Sequence, residues 1–139
     1  MRKLMNRQKG FTIVELLVVI VVIAILATLT IPQVLNYFQR GRDLDRKNDL
    51  RVIQQSSEEY YTDNEYYPTA TSGLVPDYIS EVPTDPQTSN AYTYTPAPPA
   101  CDNTAGNNCT SYTLTADLEN DNDRDADASG NYILNSLNQ

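Results

Sequence analysis

Glu15 is the one charged residue between Gly10 and Arg40, and every neighbour from Phe11 to Ile31 except Thr12, Thr28 and Thr30 is apolar. A carboxylate at the head of such a run costs about 2–3 kcal/mol if it is buried in a bilayer without a partner. It therefore calls for a cation, and no Lys or Arg lies between residues 10 and 40 to supply one. A second group is the pair Cys101 and Cys109, set in an Asn-, Gly- and Pro-rich stretch. Outside the cytoplasm such a pair oxidises to a disulfide; two free thiols in a reducing habitat, or a metal site, are the alternatives. Two cysteines without histidine make a poor zinc site. The third group is acidic. Asp121, Asp123, Asp125 and Asp127 alternate as in the front half of a calcium loop, so Ca2+ is the one candidate cofactor. That loop pattern is incomplete: Ala126 stands where a glycine is needed and Tyr132 where a closing Glu belongs. A solvated acidic turn is the competing reading.

The sequence contains no histidine, which removes the commonest general base and the commonest metal ligand. Carboxylate pairs exist, but no nucleophile and base are spaced to work together, so no enzymatic activity is expected. Charge is divided along the chain. Arg2, Lys3, Arg7 and Lys9 sit in the first ten residues with no acid, and all 18 acids lie from Glu15 onward. Loss of residues 1–10 would take the net charge from −8 to −12. A product that acidic repels nucleic acid, and no direct nucleic-acid binding is expected.

These groups must be positioned by a small number of elements. The apolar run would make a helix of about 31 Å, enough to cross a bilayer core. With a basic flank before it and an acidic region after it, the N-terminus is expected on the cytoplasmic side. The run is too long for the h-region of a removable signal peptide, and no small-residue cleavage site ends it. Helical character continues. Leu44, Leu50, Ile53, Ser57 and Tyr60 or Tyr61 fall at three- and four-residue spacing, with charges on the other faces and Asp43–Lys47 as an i,i+4 pair. One helix over 11–62 is expected, apolar all round in its first half and amphipathic in its second. Asp63–Asn64 and Pro68 stop it, and Pro32 and Gly41 are its weak points.

After Pro68, prolines and glycines punctuate short segments. Tyr92–Thr95, Ser111–Leu118 and Asn131–Leu134 are the strand candidates. In the second, Tyr112, Leu114, Ala116 and Leu118 share one face. The expected fold class is α+β: a long N-terminal helix, half membrane and half amphipathic, packed against a small antiparallel sheet. The ten tyrosines are expected to pack that sheet on the helix.

Residues 9–16, Lys-Gly-Phe-Thr-Ile-Val-Glu-Leu, and the apolar run after them resemble the prepilin signature of type IV pilins and type II secretion pseudopilins. A looser resemblance to major pseudopilins rests on Tyr67-Pro68, Gly73-Leu74, Tyr78-Ile79, Pro83-Thr84-Asp85-Pro86 and Tyr92-Thr93-Tyr94. The resemblance implies three regions: a basic leader over 1–10, a transmembrane and assembly helix over 11–35, and a periplasmic or extracellular globular domain over 36–139. It implies cleavage between Gly10 and Phe11 by a prepilin peptidase and methylation of the new Phe11 amine. It also implies that Glu15 pairs with the Phe11 amine of an adjacent subunit, and that the helix loosens near Pro32 in a filament. Some major pseudopilins hold calcium in a C-terminal loop.

The function implied is a structural filament subunit of a type IV pilus or a type II secretion pseudopilus. Its partners would be copies of itself, the peptidase, a membrane assembly platform and a cytoplasmic ATPase. Its place would be the cytoplasmic (inner) membrane, as a single-pass protein, and then an extracytoplasmic filament. A competence (DNA-uptake) or adhesive pilus subunit is the runner-up. A single-pass membrane-anchored binding protein or enzyme is the distant alternative.

Overall fold

A computed structural model of the protein describes residues 10–120 and 122–138. The basic leader over 1–9 and Asp121 lie outside the described residues. The element order is a long helix α1 (Ile13–Asn64), a 3-10 turn (Thr71–Leu74) and strands β1 (Thr93–Ala97), β2 (Ser111–Asp117) and β3 (Asn131–Asn135). The chain forms two compact units that divide between Tyr37 and Phe38.

The first unit is the apolar stretch of α1. The helix is continuous through Pro32 and Gly41. The Thr28 hydroxyl donates to the Ile25 carbonyl at 2.7 Å, one turn back. It therefore does not reach the Thr28 carbonyl, which Pro32 leaves without its usual amide donor. Among the described residues, α1 is the one helix long and apolar enough to cross a membrane by length and composition.

In the second unit the sheet has the order β1-β2-β3 and is antiparallel throughout. Tyr94 faces Leu114, and Leu114 faces Leu134 across the ladder. β2 alternates as its sequence demands: Tyr112, Leu114 and Ala116 are buried, as is Leu118 just beyond. They join Leu50 and Ile53 of α1, together with Tyr67 and Leu74, in one core. Each fully buried Leu or Ile contributes about 1.5–3 kcal/mol relative to exposure. Tyrosine rings extend this core. Tyr67 meets Tyr112 edge-on at 4.8 Å, and Tyr94 stacks on Tyr112 at 5.2 Å. The expected helix, strands and α+β class are those observed, with boundaries moved by two residues or fewer.

Two expectations for the helix are corrected. Leu44 is not a core residue; it is 66% exposed. The charged side chains of that stretch are not a solvated face either. Asp43, Arg46 and Lys47 are buried, and Asp43 does not pair with Lys47. The reason is that the stripe facing the C-terminal loops is turned toward polar backbone and carboxylates, where a leucine would leave donors unsatisfied.

Glu58 is a further charge turned inward. It accepts from the hydroxyls of Tyr67 (2.8 Å) and Tyr112 (3.0 Å) and from the Leu137 amide (3.0 Å). That ties the C-terminal segment to α1. Burial and then the nearby Glu58 carboxylate raise the Tyr112 hydroxyl above the ordinary tyrosine range.

Candidate assembly site

Gly10 is exposed, and a Cβ added there would meet no atom within 4 Å. The described residues therefore set no steric demand for glycine at this position. Phe11 is 81% exposed. Thr12 and Glu15 then close a reciprocal cap on α1. The Glu15 amide donates to the Thr12 hydroxyl oxygen at 3.2 Å, and the Thr12 amide donates to the Glu15 carboxylate at 3.4 Å. This is the capping box, in which Ser or Thr is followed three residues later by Glu. Thr12-Ile13-Val14-Glu15 spells that signal openly, yet the reading of Glu15 as a lone charge overlooks it. The carboxylate also sits at the positive end of the helix dipole, where a negative charge is favoured.

Beyond Glu15 the large side chains Leu16, Leu17, Val18, Val19, Ile20, Val21, Val22 and Ile23 are all exposed, as are Ile25 and Leu26. No other described element covers this surface. An exposed apolar surface on this scale marks a membrane or association surface.

The cysteines are joined. Cys101 and Cys109 form a disulfide with Cα atoms 5.2 Å apart, between β1 and β2. Both are buried, and the loop is stitched to the core. The Tyr67 amide donates to the Cys109 carbonyl and the Asn103 side chain donates to the Tyr67 carbonyl, each at 2.8 Å.

The acidic loop is held from α1. Asp43 accepts from the amides of Glu119 (2.9 Å) and Asn120 (3.0 Å). Arg42 forms a two-pronged pair with Glu119. Arg46 reaches Asp43 at 2.7 Å, Glu119 at 2.8 Å and Asp85 at 2.5 Å. Burial opposes the charge of Arg46, but its hydrogen bonds to Asp85, Asp43 and Glu119 outweigh this and hold it more firmly protonated than a free arginine. The Arg46 hydrogen bond, with the Thr88 and Gln87 amides behind it, holds the Asp85 carboxyl well below the usual range. Asp85 belongs to the Pro83-Thr84-Asp85-Pro86 segment, which this bond ties to α1.

Asp121 lies outside the described residues, and the other three carboxylates of the calcium pattern do not converge. Asp123 and Asp125 both face the Lys47 ammonium, at 2.5 and 2.8 Å. Asp127 turns back to accept from the amides of Ser129 and Asn131 at 2.8 and 2.9 Å. Among the described residues no three His, Cys, Asp or Glu side chains converge as a metal shell. A divalent ion placed at Asp123 and Asp125 would meet a like charge, so the residues present do not fit one.

Residues 5–31 match the family described as the prokaryotic N-terminal methylation motif. The chain is similar to type II secretion system core protein G of Escherichia coli (strain K12), 32% identical over 87 residues. That alignment takes in 63% of this chain and 59% of the relative. Core protein G of Vibrio cholerae is likewise 32% identical, over 63% of this chain and 59% of its own length. Type IV major pilin protein PilA of Myxococcus xanthus is 26% identical, over 63% of this chain and 36% of its own. The chain thus spans less than two thirds of these relatives. No solved structure matches it. The methylation motif, these partial relatives and a long helix packed on a small antiparallel sheet make the chain similar to pilins and pseudopilins.

Proposed function

We propose that this chain is a structural subunit of a type IV pilus-like filament or type II secretion pseudopilus, assembled through its N-terminal helix. The observation that carries the reading is α1 itself: a capped helix headed by Glu15, with its apolar side chains exposed on every side in the single chain. Such a helix needs lipid at one stage and other helices at the next. The names of the relatives, secretion core proteins and a major pilin, point the same way.

In this reading a prepilin peptidase cuts between Gly10 and Phe11 and the new Phe11 amine is methylated. The open surroundings of Gly10 support recognition by an external enzyme, since nothing among the described residues asks for glycine there. The subunit then comprises an assembly helix over 11–35 and an extracytoplasmic domain over 36–139, with its N-terminus at the cytoplasmic face. Glu15 accepts the Phe11 amine of a neighbouring subunit, which sets the register of one helix on the next. Pro32 supplies the point where the helix loosens. A membrane platform and a cytoplasmic ATPase drive assembly.

The test is intact-mass analysis of material purified from membranes and from sheared filaments, with electron microscopy of the same fractions. A chain beginning at Phe11 with one added methyl group, present in filaments, is expected. A mature chain beginning beyond Ile31 would refute the reading, because the helix that carries it would be gone.

A further inference from the structure

We infer that Lys47 is the resident cation of the acidic loop: its ammonium occupies the position a divalent ion would need at Asp123 and Asp125, and the loop keeps its shape without metal. Lys47 is buried on α1, and its ammonium has three N–H donors. Asp123 and Asp125 accept from it, and the ring of Tyr132 on β3 lies 5.4 Å away, so the charge has an aromatic face beneath it. Helix, loop and sheet therefore meet at one nitrogen.

Other described carboxylates of the loop have further partners. Asp123 also accepts from the Asp125 amide at 2.9 Å, and Asp127 is spent on its own turn. At the loop's ends, the Leu118 amide donates to the Gly130 carbonyl (3.0 Å) and the Asp127 amide to the Asn131 carbonyl (2.8 Å). Arg40 and Arg124 line the cleft beside Asp123, adding two more cations to the same corner. An ion pair of this kind is costly to break on one side, because the partner charges stay where they are without compensation. A lysine here makes the loop's order a property of the chain and independent of the calcium level outside the cell. The inference stands apart from the filament reading and would survive its failure.

Arg124 is exposed at the tip of the loop and gives a local readout. The full chain in detergent micelles is digested with an arginine-specific protease, in chelator and in millimolar calcium, and cleavage after Arg124 is followed by mass. The wild type should be cut at the same rate in both. Lys47→Gln should be cut on the order of tenfold faster, since cleavage tracks the population of the opened loop. Lys47→Arg, which keeps the charge, should restore resistance. If Lys47→Gln does not fold, as judged by its tyrosine circular dichroism, Asp125→Asn carries the same test from the exposed side of the pair. Calcium-dependent protection of the wild type would overturn the inference. So would wild-type cleavage of Lys47→Gln, or of Asp125→Asn where that variant stands in.

Discussion

Arg46 of α1 and Glu119, 73 residues later, lie 2.8 Å apart with the guanidinium almost wholly buried. The same guanidinium holds Asp43 and Asp85, so one side chain joins the helix to two C-terminal loops. Removing it takes the shared cation from three buried or partly buried carboxylates, leaving Glu119 to Arg42 and leaving Asp43 and Asp85 with backbone amides alone. Arg46→Ala is expected to destabilise the protein by about 3–5 kcal/mol, the range for breaking one side of a buried ion pair. Denaturant unfolding of the full chain in detergent, followed by tyrosine signals, measures this. A loss below about 1 kcal/mol, the size of an exposed pair, would show that the network does not hold the loops.

The same network predicts a response to acid. Asp85, Glu119 and Asp123 are held below their ordinary values, Asp85 by Arg46, Glu119 by Arg42 and Arg46, and Asp123 by Lys47. A carboxyl whose folded pKa is depressed contributes stability that is present above its unfolded value, about 4, and lost as pH falls through the folded value. Stability should be flat from about pH 5 to 8 and should fall steeply below about pH 4. Melting curves across that range check it. Arg46→Ala should flatten the acid limb, because Asp85 and Glu119 then titrate nearer their ordinary values.

The disulfide should be intact in the native protein and should matter to stability. Cys101 and Cys109 close a loop with a sequence separation of 8. Loop-closure entropy for so short a loop gives about 2–3 kcal/mol. Non-reducing mass spectrometry should show the mass deficit of one bridge, and Cys101→Ser with Cys109→Ser should lower the unfolding free energy by that amount. Alkylation of both thiols without prior reduction would contradict the bridge.

Glu15 should be needed for assembly and not for cleavage. Within the subunit it already caps α1 with Thr12. Capping leaves it free oxygen lone pairs for a second donor. Glu15→Leu removes both roles. Glu15→Gln keeps the cap's geometry and removes the charge, so the two variants separate helix capping from subunit pairing. If pairing sets the register, both should be cut normally and both should fail to form regular filaments. Regular filaments from Glu15→Gln would leave capping as the sole role of this residue.

Local pattern was enough for the elements. An apolar run such as 11–31 satisfies its own backbone in lipid as a helix, and from Ile13 it forms the first part of α1. Alternation placed Tyr112, Leu114 and Ala116 inside β2, because a strand's side chains have period two. The capping box at Thr12 and Glu15 has a local signal, three residues apart, but the reading of Glu15 as a lone charge passes over it.

What the sequence by itself determined, then, is whatever depends on near neighbours, from two to eight residues away: the helix, the strands and the short cysteine loop. Only the tertiary structure decided what the charges do. Asp43, Arg46 and Lys47 have helical spacing that suits a solvated face, and apart from the Asp43–Arg46 pair their partners lie 39 to 78 residues distant, in loops whose path no periodicity encodes. A carboxylate reads the same in sequence whether it meets water, calcium or an ammonium. The choice is made by the backbone that brings a counter-charge within about 3 Å, and folding α1 against the loops brought Lys47 to Asp123 and Asp125.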